Sequence, residues 1–360
     1  MWAYVFRRLL LMIPTLFGIM AITFLIIQFV PGGPVERMIS MMEQHGSAGG
    51  GGGTLVSAGG GATAGPSGSY RGGKGLDPDQ VEALRKLYGF DRPAHERFFL
   101  MMENFIQFEF GESYYHHRKV VELVVEKLPV SISLGMWTFF LTYLISIPLG
   151  IRKAVRHGSR FDTATSTLIL AGYSIPGFVL GIMLIVLFGG GSFWDVFPMR
   201  GLVSDNWESL AWPARIADYL WHMALPITAA SVGTFAVMTM LTKNSFLEEI
   251  SKQYVITARA KGLSETGVLY RHVFRNAVIP LVTGFPGSFV AAFFSGSLLI
   301  ETIFSLDGLG LLGYESVINR DYPVVMATLY FYTLLGLITK LLTDITYVLV
   351  DPRITFESAE

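Results

Sequence analysis

Residues Tyr254–Pro280 read YVITARAKGLSETGVLYRHVFRNAVIP, a charged, helix-prone stretch with apolar sequence on either side. Its middle, Ala258-Arg259-Ala260-Lys261-Gly262-Leu263-Ser264, reads as a helix end, a tight turn and a new helix start. Gly262 suits the left-handed position just past a helix, and Ser264 suits the N-cap of the next one. A basic two-helix knuckle on the inner face of a membrane protein is a surface built to be gripped by a soluble partner. That pattern implies a subunit driven from outside itself, not a self-contained pump.

The rest of the chain supports the membrane reading. Of 360 residues, 51% are hydrophobic and only 15% are charged, and the mean hydropathy is +0.48. A soluble globular domain carries about a quarter charged residues. The shortfall is what a bilayer demands, since each charge at its centre costs about 3 kcal/mol or more. The net charge of −1 gives no argument for a nucleic-acid partner, and zero cysteines leave no disulfide, thiolate metal site or thiol nucleophile. Arg7 and Arg8 precede an apolar run from Leu9 to Val30. The run is too long for a signal peptide and lacks a small-x-small cleavage site, so it reads as a retained first span.

A span needs about 20 mainly apolar residues, and segments 9–30, 129–150, 163–188, 222–242, 277–300 and 324–343 qualify. Pro14, Pro148, Pro176, Pro226 and Pro286 fall in or near them, where they serve as kinks or line a path. Lys and Arg bias sets orientation. Loop 151–162 holds Arg152, Lys153, Arg156 and Arg160, and loop 243–276 holds Lys243, Lys252, Arg259, Lys261, Arg271 and Arg275. The short loops 189–221 and 301–323 hold only Arg200, Arg215 and Arg320. The expectation is therefore a multi-pass inner-membrane protein with both termini and the two basic loops in the cytoplasm. Trp194, Trp207, Trp212 and Trp221 then sit as an outer interfacial belt. Lys340 and Asp344, four residues apart late in the last span, read as a snorkelling i,i+4 pair before they read as an ion relay.

Four regions follow from this pass: 1–30 with the first span, an outer insert 31–128, a five-helix core 129–350 with the cytoplasmic loop 243–276, and a tail 351–360. Within the insert, residues 46–75 contain 14 glycines and read as a flexible linker. Residues 76–127 read as a helical subdomain. Asp77-Pro78-Asp79-Gln80 starts one helix, which Gly89 ends. A second helix runs from about Pro93 to Phe108, with Phe98, Phe99, Met102, Phe105 and Ile106 on its apolar face.

No motif for chemistry survives inspection. Gly68-Ser69-Tyr70-Arg71-Gly72-Gly73-Lys74 approaches the phosphate-binding loop pattern, but position 75 is glycine, no strand precedes it, and it lies on the outer side. The histidines lack metal spacing, and no G-x-S-x-G elbow is present. The chain reads as no enzyme, without catalytic, cofactor or metal residues of its own. Gly308-Leu309-Gly310 opens the last outer loop and Arg320-Asp321-Tyr322-Pro323 closes it. These are either turn chemistry with an interfacial anchor, or a periplasmic gate or docking surface.

The sequence resembles the permease subunits of bacterial ABC importers of the dipeptide/oligopeptide class over nearly its whole length. The resemblance is carried by Arg7-Arg8-Leu9 through Pro31-Gly32-Gly33-Pro34, Tyr88-Gly89-Phe90-Asp91-Arg92-Pro93, Phe110-Gly111-Glu112-Ser113 and Leu128-Pro129-Val130-Ser131. Most specific is Thr257-Ala258-Arg259-Ala260-Lys261-Gly262-Leu263, followed by His272, Arg275-Asn276-Ala277 and Pro280, which is similar to the family's coupling (EAA) loop. Glu301, Phe304-Ser305 and Gly308-Leu309-Gly310 fit the C-terminal end. Tyr70–Pro78 and Leu241–Leu247 are similar to the B-type permeases of Yej-class importers, a class associated with microcin C uptake. Ile256 stands where the loop's eponymous glutamate would be, and Asp307 where many relatives have proline.

The resemblance implies an all-α protein with six transmembrane helices in the type I ABC importer permease fold and a small helical periplasmic insert. It also implies partners: membrane lipid, a second homologous permease in a heterodimer, two nucleotide-binding ATPase domains holding ATP and Mg, and a periplasmic peptide-binding protein. ATPase coupling would fall to Thr257, Ala258, Arg259, Ala260, Lys261, Gly262, Leu263, Ser264, His272 and Arg275. The outer gate or docking role would fall to Gly308, Leu309, Gly310, Arg320, Asp321 and Tyr322. Peptides or peptide-like antibiotics would cross by alternating access.

Overall fold

The computed structural model describes residues 2–29, 92–189, 193–294 and 297–350. The glycine tract and the Asp77–Gly89 helix lie outside the described residues. The rest is helical: α1 (Trp2–Phe29), α2 (Ala94–Ile106), α3 (Val120–Val155), α4 (Arg160–Tyr173), α5 (Gly177–Phe188), α6 (Trp212–Ile250), α7 (Gln253–Ala260), α8 (Glu265–Ala277), α9 (Ile279–Phe294), α10 (Leu298–Ile303), α11 (Leu309–Asn319) and α12 (Tyr322–Val350).

Four of these, α1, α3, α6 and α12, are each long and apolar enough to cross a bilayer. Two bent pairs, α4 with α5 (94°) and α8 with α9 (52°), bring the number to six if each counts as one span. These correspond to the six apolar segments. The bends have a covalent cause. Pro176 precedes α5, and a residue before proline is pushed out of the α region, so α4 cannot run on through Ile175. Pro280, the second residue of α9, has no N–H with which to continue α8. Pro14, Pro148, Pro226 and Pro286 stay inside continuous helices. At 1.5 Å per residue, the 36 residues of α3 and 39 of α6 outrun a hydrocarbon core about 30 Å thick. Their ends therefore extend beyond the hydrocarbon core, and the knuckle follows the C-terminal end of α6.

By contact the chain divides into two units. One comprises 1–16, 121–315 and 328–360. Its first apolar centre gathers Leu134, Met223, Leu225, Ile227, Ile300, Phe304 and Leu306, beneath a small cap in which Trp194 stacks on Phe188 and Trp221 stacks on Phe197. Its second centre lies under the knuckle. Here the structure corrects one expectation. Asp344 pairs with Arg8 of α1 at 2.9 Å and accepts from the Tyr4 hydroxyl at 2.9 Å, instead of pairing along its own helix with Lys340. A neighbouring helix offers a planar, multi-donor guanidinium, which suits a carboxylate better than a single ammonium.

The other unit comprises 17–120 and 316–327. In it Phe98 of α2 meets the rings of Phe17 and Phe24, both at 5.3 Å, and Phe105 meets Phe110 at 4.8 Å. The expected apolar face of α2 is only part-covered, since Phe99 and Ile106 are exposed.

Candidate functional site

The knuckle is built by local sequence chemistry. In α7, Val255 and Ala258 share the inward face, while Ile256, Thr257, Arg259 and Ala260 point outward. The helix ends in a Schellman turn. The Gly262 N–H donates to the Arg259 carbonyl (2.9 Å) and the Leu263 N–H to the Ala258 carbonyl (3.4 Å). Gly262 adopts φ +82°, which only glycine reaches without strain. Ser264 then caps α8, its Oγ accepting from the Gly267 N–H at 3.2 Å. Arg259 reaches across the turn to Glu265 with two parallel hydrogen bonds of 3.0 Å. Both the end of one helix and the start of the next were legible in the residues, and both stand where they were expected.

Tertiary contacts then hold the knuckle to its supports. Val255, Ala258, Val268, Val273 and Ala277 pack with Phe246 of α6 and with Ile151 and Ala154 of α3. Glu249, in the last turn of α6, accepts from the Tyr254 hydroxyl at 2.6 Å and from the Lys252 ammonium. That bond with Glu249 raises the Lys252 pKa. Burial first, and the bond to Glu249 second, raise that of Tyr254. Residues 268–273 form a π-turn inside α8, a local widening often found at functional sites.

The outward surface is mixed in chemistry. Ile256 (51% exposed), Leu263 (40%) and Tyr270 (60%) are exposed apolar residues, and Arg259, Lys261, Arg271 and Arg275 are exposed cations of the same knuckle. Thr257, Ala260, Gly262 and Ser264 are exposed between them, and His272 is half-buried. Ala258 differs from the rest of the expected set. It is 6% exposed and packs in the apolar cluster under the knuckle.

The residues expected at an outer gate divide between the two units. In the first unit, the buried Glu301 carboxylate accepts from the backbone N–H groups of Ser297 (3.1 Å) and Leu311 (2.7 Å). It thereby caps the N-terminus of α11, where a negative charge is favoured. Gly308 lies so close that a Cβ there would stand 2.5 Å from the Glu301 carboxyl carbon. The Leu309 N–H donates to Ser131 Oγ at 2.8 Å. In the second unit, Asp321 is buried and accepts from Ser113 Oγ (2.5 Å) and the Tyr114 N–H (3.0 Å). Arg320 carries φ +55° beside it, and Tyr322 is half-buried. Gly308, Leu309 and Asp321 thus shape their loops from inside, and Gly310, Arg320 and Tyr322 are the partly open members. Among the described residues no three acidic or histidine side chains converge to hold a metal.

Residues 146–356, the stretch that contains the knuckle and α11, match the family described as the binding-protein-dependent transport system inner membrane component. The chain belongs to this family. Such a component is the membrane permease subunit of an ABC transporter, and the ATPase resides in partner subunits. Similar curated proteins span the whole chain. One is the "Peptidoglycan transport system permease protein YejB" of Agrobacterium fabrum, 56% identical over 99% of both chains. Another is the "Inner membrane ABC transporter permease protein YejB" of Escherichia coli O157:H7, 54% identical over 99% of this chain and all of that one. A third is the "Oligopeptide transport system permease protein AppB" of Bacillus subtilis, 32% identical over 99% of this chain.

One group escaped sequence reasoning altogether. Lys153, Asp162 and Lys243 meet in a buried cluster of the permease core, although both lysines had been counted simply as loop cations. The only sequence signal was Asp162 at the third position of α4 after the Ser159 N-cap.

Proposed function

We propose that this permease moves peptides, or molecules that carry a peptide, from periplasm to cytoplasm as one half of a heterodimer with a second homologous permease. The observation that carries the reading is the knuckle: an exposed surface of basic and apolar residues that follows the C-terminal end of α6, fixed to that helix by Phe246 and Glu249. In this reading, two nucleotide-binding domains, holding ATP and Mg, grip Thr257, Arg259, Ala260, Lys261, Gly262, Leu263 and Ser264. His272 and Arg275 flank the grip, and Ala258 backs it from within. Closure of the ATPases on ATP pushes α7 and, through Phe246, α6, so the pathway alternates between inward and outward openings.

The orientation follows the charge bias: both termini and loops 151–162 and 243–276 are cytoplasmic, and 31–128 is periplasmic. A periplasmic peptide-binding protein delivers cargo to the outer loops. In the first unit Gly308 and Leu309 fix the frame of a gate loop whose partly open member is Gly310; in the second unit Arg320 and Tyr322 offer a docking surface of their own. The Bacillus subtilis relative, named for oligopeptide transport, supports the cargo class. The Agrobacterium name favours, as a second reading, peptide-bearing fragments of peptidoglycan. Peptide-like antibiotics such as microcin C fit the same pathway. The test is uptake of labelled tetra-alanine into proteoliposomes holding the purified assembly. Uptake that needs ATP, the binding protein and this chain supports the reading, and uptake indifferent to ATP overturns it.

A further inference from the structure

Lys153 is fully buried, with none of its surface exposed. Its ammonium donates to the Asp162 carbonyl (3.0 Å), Thr165 Oγ1 (2.7 Å) and Ser166 Oγ (2.8 Å), and lies 3.1 Å from Asp162 Oδ1. Lys243, also buried, reaches both oxygens of the same carboxylate, Oδ1 at 2.7 Å and Oδ2 at 2.9 Å. The Gly158 N–H adds a donor at 3.2 Å, and the largely exposed His157 lies 3.3 Å from the same carboxylate. One carboxylate thus ties together the end of α3, the start of α4 and the C-terminal part of α6.

A buried ion cluster is a weak source of stability, because apolar residues of the same volume usually serve as well. Its distinctive property is direction: it holds three backbones in one register. The surroundings call for such a tie. The link from α3 to α4 turns at Gly158, with φ +74°, and the link from α4 to α5 bends by 94°. Both are places where α4 could swing. Lys243, by contrast, sits one turn from Phe246, the residue around which the knuckle is packed. A push on α7 reaches α6 through Phe246 and would leave α6 for α4 through Lys243 and Asp162.

We propose that Asp162, gripped by Lys243 and Lys153, is the positioning residue that transmits the stroke of the knuckle from α6 to the broken span α4–α5, so that ATP hydrolysis and opening of the pathway stay coupled. This rests on the transport reading above, and the test separates the two. The unaltered assembly must first show ATP-dependent uptake of tetra-alanine; failure there sinks the transport reading itself. In Lys243→Met, which keeps the length but not the charge, the assembly is expected to form and hydrolyse ATP while uptake per ATP falls on the order of tenfold, within the span of ordinary coupling energies. Lys243→Arg is expected to restore the ratio. A loss of hydrolysis and uptake in step, or a normal ratio in Lys243→Met, overturns the proposal.

If Lys243→Met does not assemble, the otherwise unaltered chain still decides the matter. It contains no cysteine, so spin labels at Thr163→Cys on α4 and Glu248→Cys on α6 report one distance. That distance is expected to be the same with and without ATP, because the two helix ends move as one body. A change between the two states overturns the inference.

Discussion

Gly262 is where the knuckle can be perturbed with least collateral damage. A Cβ built there meets no atom within 4 Å, so alanine fits sterically and its whole effect is conformational. Holding a non-glycine residue at φ +82° costs about 1–2 kcal/mol, which corresponds to roughly 5–30-fold in an equilibrium. Asparagine tolerates the left-handed region better and should lose less. Proline locks φ near −65° and removes the N–H that Gly262 donates to Arg259, so its cost should exceed about 3 kcal/mol. The expected order of partner affinity and of uptake is therefore Gly, Asn, Ala, Pro. Gly262→Pro should be inactive yet normally inserted, because the turn lies outside the spans. The assay is titration of the detergent-purified chain with its ATPase, alongside uptake in proteoliposomes. Wild-type uptake by Gly262→Pro, or an alanine variant as damaged as the proline one, would refute the reasoning.

Three further outcomes are expected. Arg259→Glu sets two carboxylates across an exposed turn whose ion pair is worth only about 0–1 kcal/mol, so thermal stability should barely change while ATPase co-purification falls; undiminished co-purification would remove that charge from the docking surface. Glu301→Ala strips the acceptor from the Ser297 and Leu311 N–H groups, at about 1–3 kcal/mol for each buried donor left unpaired. It should lower the melting temperature clearly, while Glu301→Gln, which keeps one oxygen, should lower it less; equal losses would contradict this. Tyr254 and Lys252 both have raised pKa values, so their protonated forms are favoured by folding. That contribution is complete below the unfolded values near ~10 and disappears only as pH climbs through the higher folded ones. An ultraviolet difference titration against Tyr254→Phe should show the missing tyrosine ionising above its ordinary pKa; ionisation at or below it would contradict both its burial and its contact with Glu249.

The parts legible in the sequence were those decided within a few residues. Gly262 and Ser264 announce a helix end and a helix start because the left-handed turn and the N-cap are local problems with few residue solutions. The six apolar segments are equally local, since bilayer thickness alone sets their length. The 94° break at Pro176 could be anticipated as a weakness but not as an angle, because neighbouring packing decides whether a proline kinks a helix, as Pro226 does not break α6, or ends it. Ala258 could not be assigned a side, because a short helix shows which way it faces only against α3 and α6. Lys153 and Lys243 illustrate the largest gap. Loop cations ordinarily orient a membrane protein, and although Asp162 lies nine residues from Lys153, nothing in the sequence reveals that it also draws in Lys243, 81 residues away. Asp344 likewise found Arg8, at the far end of the chain, in preference to its own helix.

The central claim is that the knuckle exists to be gripped, and co-purification tests it most directly. The tagged chain would be extracted in mild detergent and everything that accompanies it identified by mass spectrometry and stoichiometry. The account predicts a second multi-span permease in equal amount, together with nucleotide-binding domains that are lost in Gly262→Pro. A chain that emerges alone, stable and monodisperse, and still transports would contradict it.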